Sequence, residues 1–186
     1  MDPVSLLATQ LEEGYRMIRD RVEELGDDEF WWEPAPDSWT IRQRPDGRWA
    51  ADYAVPDPIP APMTTIGWRL VHVAECKVMY HEYAFGAAKL TWPDIDSAHS
   101  SDAAVAQLEE GQHKLVTTLQ ALQPHDLERQ VMTNWGEEWP AWKIFWTMIH
   151  HDIHHGAEIG ALRDLYRVTH DVAPASDANR NQGASE

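Results

Sequence analysis

Nine consecutive residues, His150 to Glu158, carry four histidines and two acids. No proline interrupts the surrounding stretch, and apolar residues recur on both sides at helical spacing, so it reads as helix. Imidazole is the commonest protein ligand for metals, and two histidines at i and i+4 share one helix face, where they can grip one ion. Following one stripe in both directions gives Ile144, Met148, His151, His155, Ile159, Leu162 and Tyr166. Every member except the two histidines is apolar or aromatic, so His151 and His155 are expected to project from the buried face. The rival pair, His150 and His154, shares its stripe with Lys143, Thr147, Glu158 and Ala161. That stripe is more polar and is expected to face solvent or a cleft rim.

Spacing alone also fits core histidines bonded to carboxylates, or a solvated polar helix. The segment is not the metalloprotease H-E-x-x-H, because Asp152 stands where that motif has its glutamate, and its side chain is one methylene shorter. A third ligand must come from elsewhere. A second helix is expected from Thr64 to Phe85, and its stripe Trp68, His72, Cys76, Met79, Tyr83 again carries one histidine among mostly apolar groups. A lone histidine there is usually a satisfied core residue. Facing the His151/His155 stripe, His72 becomes the candidate third ligand. His81 lies on another face of that helix and is expected to point to solvent. His99, His113, His125 and His170 lie in or near polar stretches and read as surface residues.

Three imidazoles around a divalent ion leave positions open for water or substrate, the pattern of a catalytic site. Zinc is the default for nitrogen ligands; nickel, iron and manganese also suit an all-histidine set. The ion can lower the pKa of a bound water or thiol. Asp152 and Glu158 stand one turn or less from the ligands. Each can orient a ligand imidazole or act as a base, and each also reads as a solvated surface charge.

The setting Leu70-Val71-His72-Val73-Ala74, followed much later by Trp146 and then His151, His154, His155, Gly156, Glu158 and Ile159, resembles the DinB/YfiT-like superfamily. The resemblance spans about residues 3 to 168. It implies an all-α fold, a four-helix bundle in up-down-down-up order. It also implies a divalent metal in an open pocket, held by one histidine of the second helix and an HxxxH pair of the last: here His72, His151 and His155. Similar families include thiol-dependent transferases and isomerases, whose metal activates the sulfur of a small cellular thiol such as mycothiol or bacillithiol. The chain departs from that pattern in its long connection between the first two helices.

The remaining pattern fits one bundle domain over residues 1–170. A first helix is expected from Pro3 to Leu25, with Leu6, Leu7, Leu11, Tyr15, Ile18, Val22 and Leu25 as its apolar face and Gly26-Asp27-Asp28 as the stop. The insert, about residues 27–62, breaks the helical pattern. Thr40 to Arg44 and Arg48 to Tyr53 flank Pro45-Asp46-Gly47 and read as a β-hairpin. Pro56, Pro58, Pro60 and Pro62 make an extended exit. The insert's tryptophans suit either a lid over a pocket or a plug at one end of the bundle. A third helix is expected from Ser101 to Leu122, and a short extended segment with a turn from Gln130 to Pro140, where the last helix starts. Residues 171–186 are polar and read as a disordered tail.

The formal charge is −16, from 31 acids against 15 bases, which argues against a nucleic-acid partner. The single cysteine, Cys76, cannot form an internal disulfide, so a reducing cytoplasm is expected. No apolar run is long enough to span a membrane, and no leader pattern is present at the N-terminus. Ten tryptophans point to a large aromatic core or an aromatic-lined pocket. The expected partner is a small-molecule substrate, with a low-molecular-weight thiol as the leading class. A homodimer formed through exposed apolar helix faces is a further expectation. The reading is a metal-dependent S-transferase; a metal-dependent hydrolase and a non-catalytic metal-bound helical protein are the alternatives.

Overall fold

The structure, a computed structural model, describes residues 2–56 and 58–170. Its elements are α1 (Pro3–Arg21), α2 (Asp27–Trp31), β1 (Ile41–Gln43), β2 (Trp49–Ala51), α3 (Ile66–Phe85), α4 (Ser101–Ala121), β3 (Gln130–Met132), β4 (Glu138–Pro140) and α5 (Ala141–Thr169). The tail expected from residue 171 onward lies outside the described residues.

Helices α1, α3, α4 and α5 form the bundle, and their contacts fix its direction. Gly14 lies against Ile149 and Gly156 against Ile18, so α1 and α5 run parallel. Lys77 meets Gln112 and His81 meets Thr118, so α3 and α4 run parallel. Arg69 pairs with Glu158, Lys77 with Asp152, and Phe85 stacks near Phe145, so α3 and α5 run antiparallel. The order is therefore up-down-down-up. The consecutive parallel pair, α3 and α4, is joined by residues 86–100, a connection long enough to run back along the bundle.

Each helix buries the stripe that its periodicity marks. Leu11 and Ile18 of α1, Leu70 and Met79 of α3, Leu108, Leu115 and Leu119 of α4, and Ile144, Met148 and Ile159 of α5 are buried. Leu6, expected on the apolar face of α1, is exposed instead, while Val4, Leu7 and Ala8 beside it pack on the core. Capping sets the starts: Asp2 accepts from the Val4 and Ser5 amides, Thr65 from Trp68, and Ser100 from Ala103.

Helix α1 stops at Arg21 rather than Leu25. Arg163 of α5 donates to the carbonyls of Arg21, Glu23 and Glu24 while pairing with Glu29. Those bonds meet carbonyl groups that a helix end leaves open, so the chain can turn there. Leu25 remains buried beyond the helix. Residues Asp27–Trp31 form the unexpected short helix α2, whose Phe30 enters the core beside Gly67.

The expected hairpin in the insert is β1–β2, with Ile41 opposite Ala51 and Gly47 at φ +88° in the turn. The segment before α5 is a second hairpin, β3–β4, turning at Gly136 with φ +87°. His81, expected in solvent, is half-buried and bonded to Thr118 Oγ1 at 2.8 Å.

Lys77 and Asp152 are both fully buried, with Nζ 2.6 Å from Oδ2. Lys77→Met leaves that carboxylate alone in the core and should cost about 3–5 kcal/mol, whereas adding Asp152→Leu should recover most of the loss. Urea unfolding of the two single variants and the double variant measures this. A Lys77→Met protein as stable as the wild type would show that the pair does not hold the bundle.

Candidate metal centre

His72 sits midway along α3, and His151 and His155 sit one turn apart on α5. The antiparallel packing of these helices brings the three rings together. Ring centres are 5.1 Å apart for His72 and His155, 5.5 Å for His151 and His155, and 5.6 Å for His72 and His151. His150 and His154, the rival pair, are exposed.

Ligand atoms of His72, Cys76 and His151 lie within 4.8 Å of one another. Those of His154, His155 and Glu158 form a second group at the same spacing, sharing no member with the first. His155 links the two: its ring packs on His72 and His151, while its Nδ1 lies 2.8 Å from Glu158 Oε2.

All three rings are neutral at pH 7. Burial, with neighbouring His155, His151 and Arg69, holds His72 down to about 3. Burial and the Lys77 charge hold His151 down to about 4. Burial, His151 and Arg69 hold His155 down to about 3. Neutral imidazole is the form that coordinates a metal. With its Nδ1–H donated to Glu158, His155 keeps its other nitrogen's lone pair free. Nδ1 of His151 is buried with no hydrogen-bond partner among the described residues. Such an atom costs about 1–3 kcal/mol unless something meets it. A divalent cation among these rings would supply that partner, so the residues present fit one.

Neighbours fix the rings. Trp68, one turn before His72, stacks on it with ring centres 5.0 Å apart and planes 10° from parallel. The Trp68 indole N–H donates to the Asp52 carbonyl at 2.8 Å, which ties the first hairpin to α3. Arg69 pairs with Glu158, so the carboxylate that orients His155 is itself held from α3.

A cavity of about 680 Å³ opens on the His72 side. Its walls are His72, Cys76 and Tyr80 of α3, residues 50–53 of the first hairpin, and Asn134 and Trp135 of the second. The insert therefore serves both purposes open in the sequence. Its hairpin walls the cavity, whereas Phe30, Trp31 and Trp32 pack into the core at the base of α3 and against Tyr166.

Asp152, a candidate base or surface charge by sequence, is neither solvated nor directed at the cavity: it is fully buried and ion-paired with Lys77. Glu158 is partly exposed and bonds Arg69 and His155. Glu75 was not singled out by the sequence, yet it lines the cavity, buried, and accepts from Ser97 Oγ. Burial pushes its carboxyl up to about 7. Cys76, on the same stripe as His72 and one turn after it, also lines the cavity.

A family model described as the DinB superfamily matches residues 44–159, more than half of the chain. The chain belongs to the DinB superfamily. The match takes in His72, His151 and His155 and leaves out α1. No curated protein matches this DinB member.

The buried rings make the metal-free protein acid-sensitive. Each histidine is neutral when folded but protonates near pH 6.5 when unfolded, so the unfolded state binds more protons as pH falls below 6.5. Glu75 acts oppositely, since its raised value lets the folded state bind a proton that the unfolded state releases between about 7 and 4.5. Three histidines less one glutamate leave about two protons, so stability should fall by up to about 2.7 kcal/mol per pH unit toward pH 4.5. Glu75→Gln should steepen the slope to about three protons. Urea unfolding of metal-free protein between pH 7 and 4.5 checks both; a flat profile contradicts neutral buried rings.

Proposed function

We propose that this DinB-superfamily chain is a divalent-metal-dependent enzyme, with His72, His151 and His155 as the protein ligands and a small thiol as co-substrate of an S-transfer reaction. The observation that carries the reading is the convergence of three neutral imidazoles, of which His72 forms part of the wall of an aromatic cavity of small-molecule size. A divalent ion there would act as a Lewis acid that lowers the pKa of a bound thiol. Zinc is the metal that nitrogen ligands favour first, with nickel, iron and manganese as the other fits.

The chain's own residues supply the rest. Glu158, braced by Arg69, holds the His155 ring and its tautomer. Trp68 stacks on His72 and Tyr80 packs against His151, which limits how the two rings can turn. Tyr80, Trp92 and Trp135 offer aromatic walls to the apolar part of an electrophile. Asp152 takes no part in this scheme beyond holding α5 in place.

One observation favours metal-dependent hydrolysis as a second reading. Glu75 holds its carboxyl at about 7 inside the cavity, where it can accept a proton from water at neutral pH.

No helix among the described residues is long and apolar enough to cross a membrane. The proposed compartment is the cytoplasm, where the free thiol of Cys76 stays reduced. Self-association through the exposed Trp142, Trp146 and Ile153 of α5 belongs to the same proposal.

Metal analysis of tag-free wild type beside His72→Ala, His151→Ala and His155→Ala tests the ligand set. About one metal per chain is expected in the wild type, with loss in each variant. Calorimetric titration of the zinc-loaded protein with bacillithiol, mycothiol and glutathione then separates the readings. Saturable binding of one of these thiols, absent in His151→Ala, supports S-transfer. Thiol-free, metal-dependent turnover of an activated ester, lost in Glu75→Gln, would instead make it a hydrolase. A bound metal without either behaviour would make the site non-catalytic.

A further inference from the structure

The cavity side of the histidine cluster is occupied by a sulfur. Cys76 stands one helical turn after His72 on α3, and its Sγ lies 3.9 Å from both ring nitrogens of His72. That distance is too long for a good hydrogen bond, and nothing else in the site uses the thiol. Being equally far from both nitrogens, the sulfur stands off the ring's lone-pair axes, and a turn of the His72 ring would bring one nitrogen to the separation that co-ligands keep: nitrogen at about 2.1 Å and sulfur at about 2.3 Å from a tetrahedral ion stand about 3.6 Å apart. His151 faces the same point from α5, with a ring nitrogen within 4.8 Å of the sulfur. His151 Nδ1 also lacks any partner among the described residues, a second and independent mark of a missing ligand.

The ordinary alternative is a core cysteine acting as a small hydrophobe. Cys76 does touch the core that Leu115, Phe145 and Met148 form. It also lines the cavity, together with His72, whereas His151 and His155 do not. Cys76 thus faces His72, His151 and the cavity as well as the core.

We propose that Cys76 is a fourth protein ligand, so that the resting site is three histidines and one thiolate. The inference rests on the three-histidine reading for its other donors. When the Sγ–metal bond forms, the S–H proton leaves to solvent, as coordinating thiols lose theirs. A thiolate donor biases the site toward zinc and cobalt over harder ions. Four protein donors also close a tetrahedral site. An incoming small thiol would then enter from the cavity and displace Cys76, the donor on that side: one sulfur–metal bond would break as the other forms, and the proton of the incoming S–H would pass to the released Cys76 thiolate.

Cobalt(II) reports this directly, because thiolate-to-cobalt charge transfer absorbs strongly in the near ultraviolet and imidazole does not. Cys76 is the chain's single cysteine, so the band has one possible source. Apo protein is titrated with cobalt(II) in buffer free of thiol reductants, as wild type, Cys76→Ser and His155→Ala. The expected result is one cobalt per chain with a charge-transfer band in the wild type. In Cys76→Ser the ligand-field bands should remain and the charge-transfer band vanish, with affinity weaker by on the order of tenfold or more. The wild-type spectrum decides the matter even if a variant fails to fold. Stoichiometric cobalt that depends on His155 but shows no sulfur band overturns the Cys76 assignment and leaves the histidine set standing. A sulfur band that persists unchanged in His155→Ala supports Cys76 and removes His155 from the ligands. No cobalt binding at all overturns both.

Discussion

One buried network holds the four bundle helices to each other. Lys77 Nζ of α3 donates to Asp152 Oδ2 of α5 at 2.6 Å and to Gln112 Oε1 of α4 at 3.0 Å. Gln112 Nε2 reaches the Leu11 carbonyl of α1 at 3.4 Å. A buried pair is weak evidence for net stability, because desolvation cancels most of the attraction. Its use is register. Sliding α3 along α5 by one turn would leave two charges buried without partners. The pair also stands one residue from Cys76 on one side and from His151 on the other. Fixing that contact fixes which ring of α5 each donor of α3 faces. Room for it comes from α4, where a Cβ on Gly111 would lie 2.9 Å from the Lys77 Cβ. Only glycine lets the lysine stem pass there.

The two hairpins do for the cavity what the network does for the histidine cluster. Each is too short to be stable alone, and each is anchored on the bundle. The first is tied by the Trp68–Asp52 bond and by Arg44, which donates to the carbonyls of Trp49 and Ile95. In the second, Trp135 packs on Tyr80 of α3. The cavity walls are thus aromatic rings held by α3, the helix that carries His72. A change in either hairpin acts on the shape of the cavity.

Much of this was legible in the chain because burial follows the 3.6-residue period. The stripes of α3 and α5 put His72, His151 and His155 on inner faces, and the structure brings those three rings within 6 Å of one another. The Pro-Asp-Gly turn marked the first hairpin through its need for positive φ at Gly47. What stayed hidden were pairings between distant charges. Lys77 and Asp152 are 75 residues apart, and each alone looks like a solvated group. Arg163 ends α1 from 140 residues away, so no local signal places that stop at Arg21 instead of Leu25. Cys76 was visible on its stripe, but a cysteine among apolar residues reads as core until the facing helix is known.

Charge balance sets what such a site can hold. Three neutral imidazoles leave the whole charge of a divalent ion uncompensated in a poorly solvated place. The nearby carboxylates do not cancel it, since Asp152 is committed to Lys77 and Glu158 to Arg69. Those two ion pairs keep the local field near neutral, so the cluster neither repels a cation strongly nor satisfies one. An anionic donor at the cavity side restores the balance. Water can do so only by losing a proton, and a thiol does so more readily because it starts from a lower pKa. The same electrostatics that allow an ion among these rings therefore favour sulfur as its next partner, whether from Cys76 or from a substrate entering along the aromatic wall.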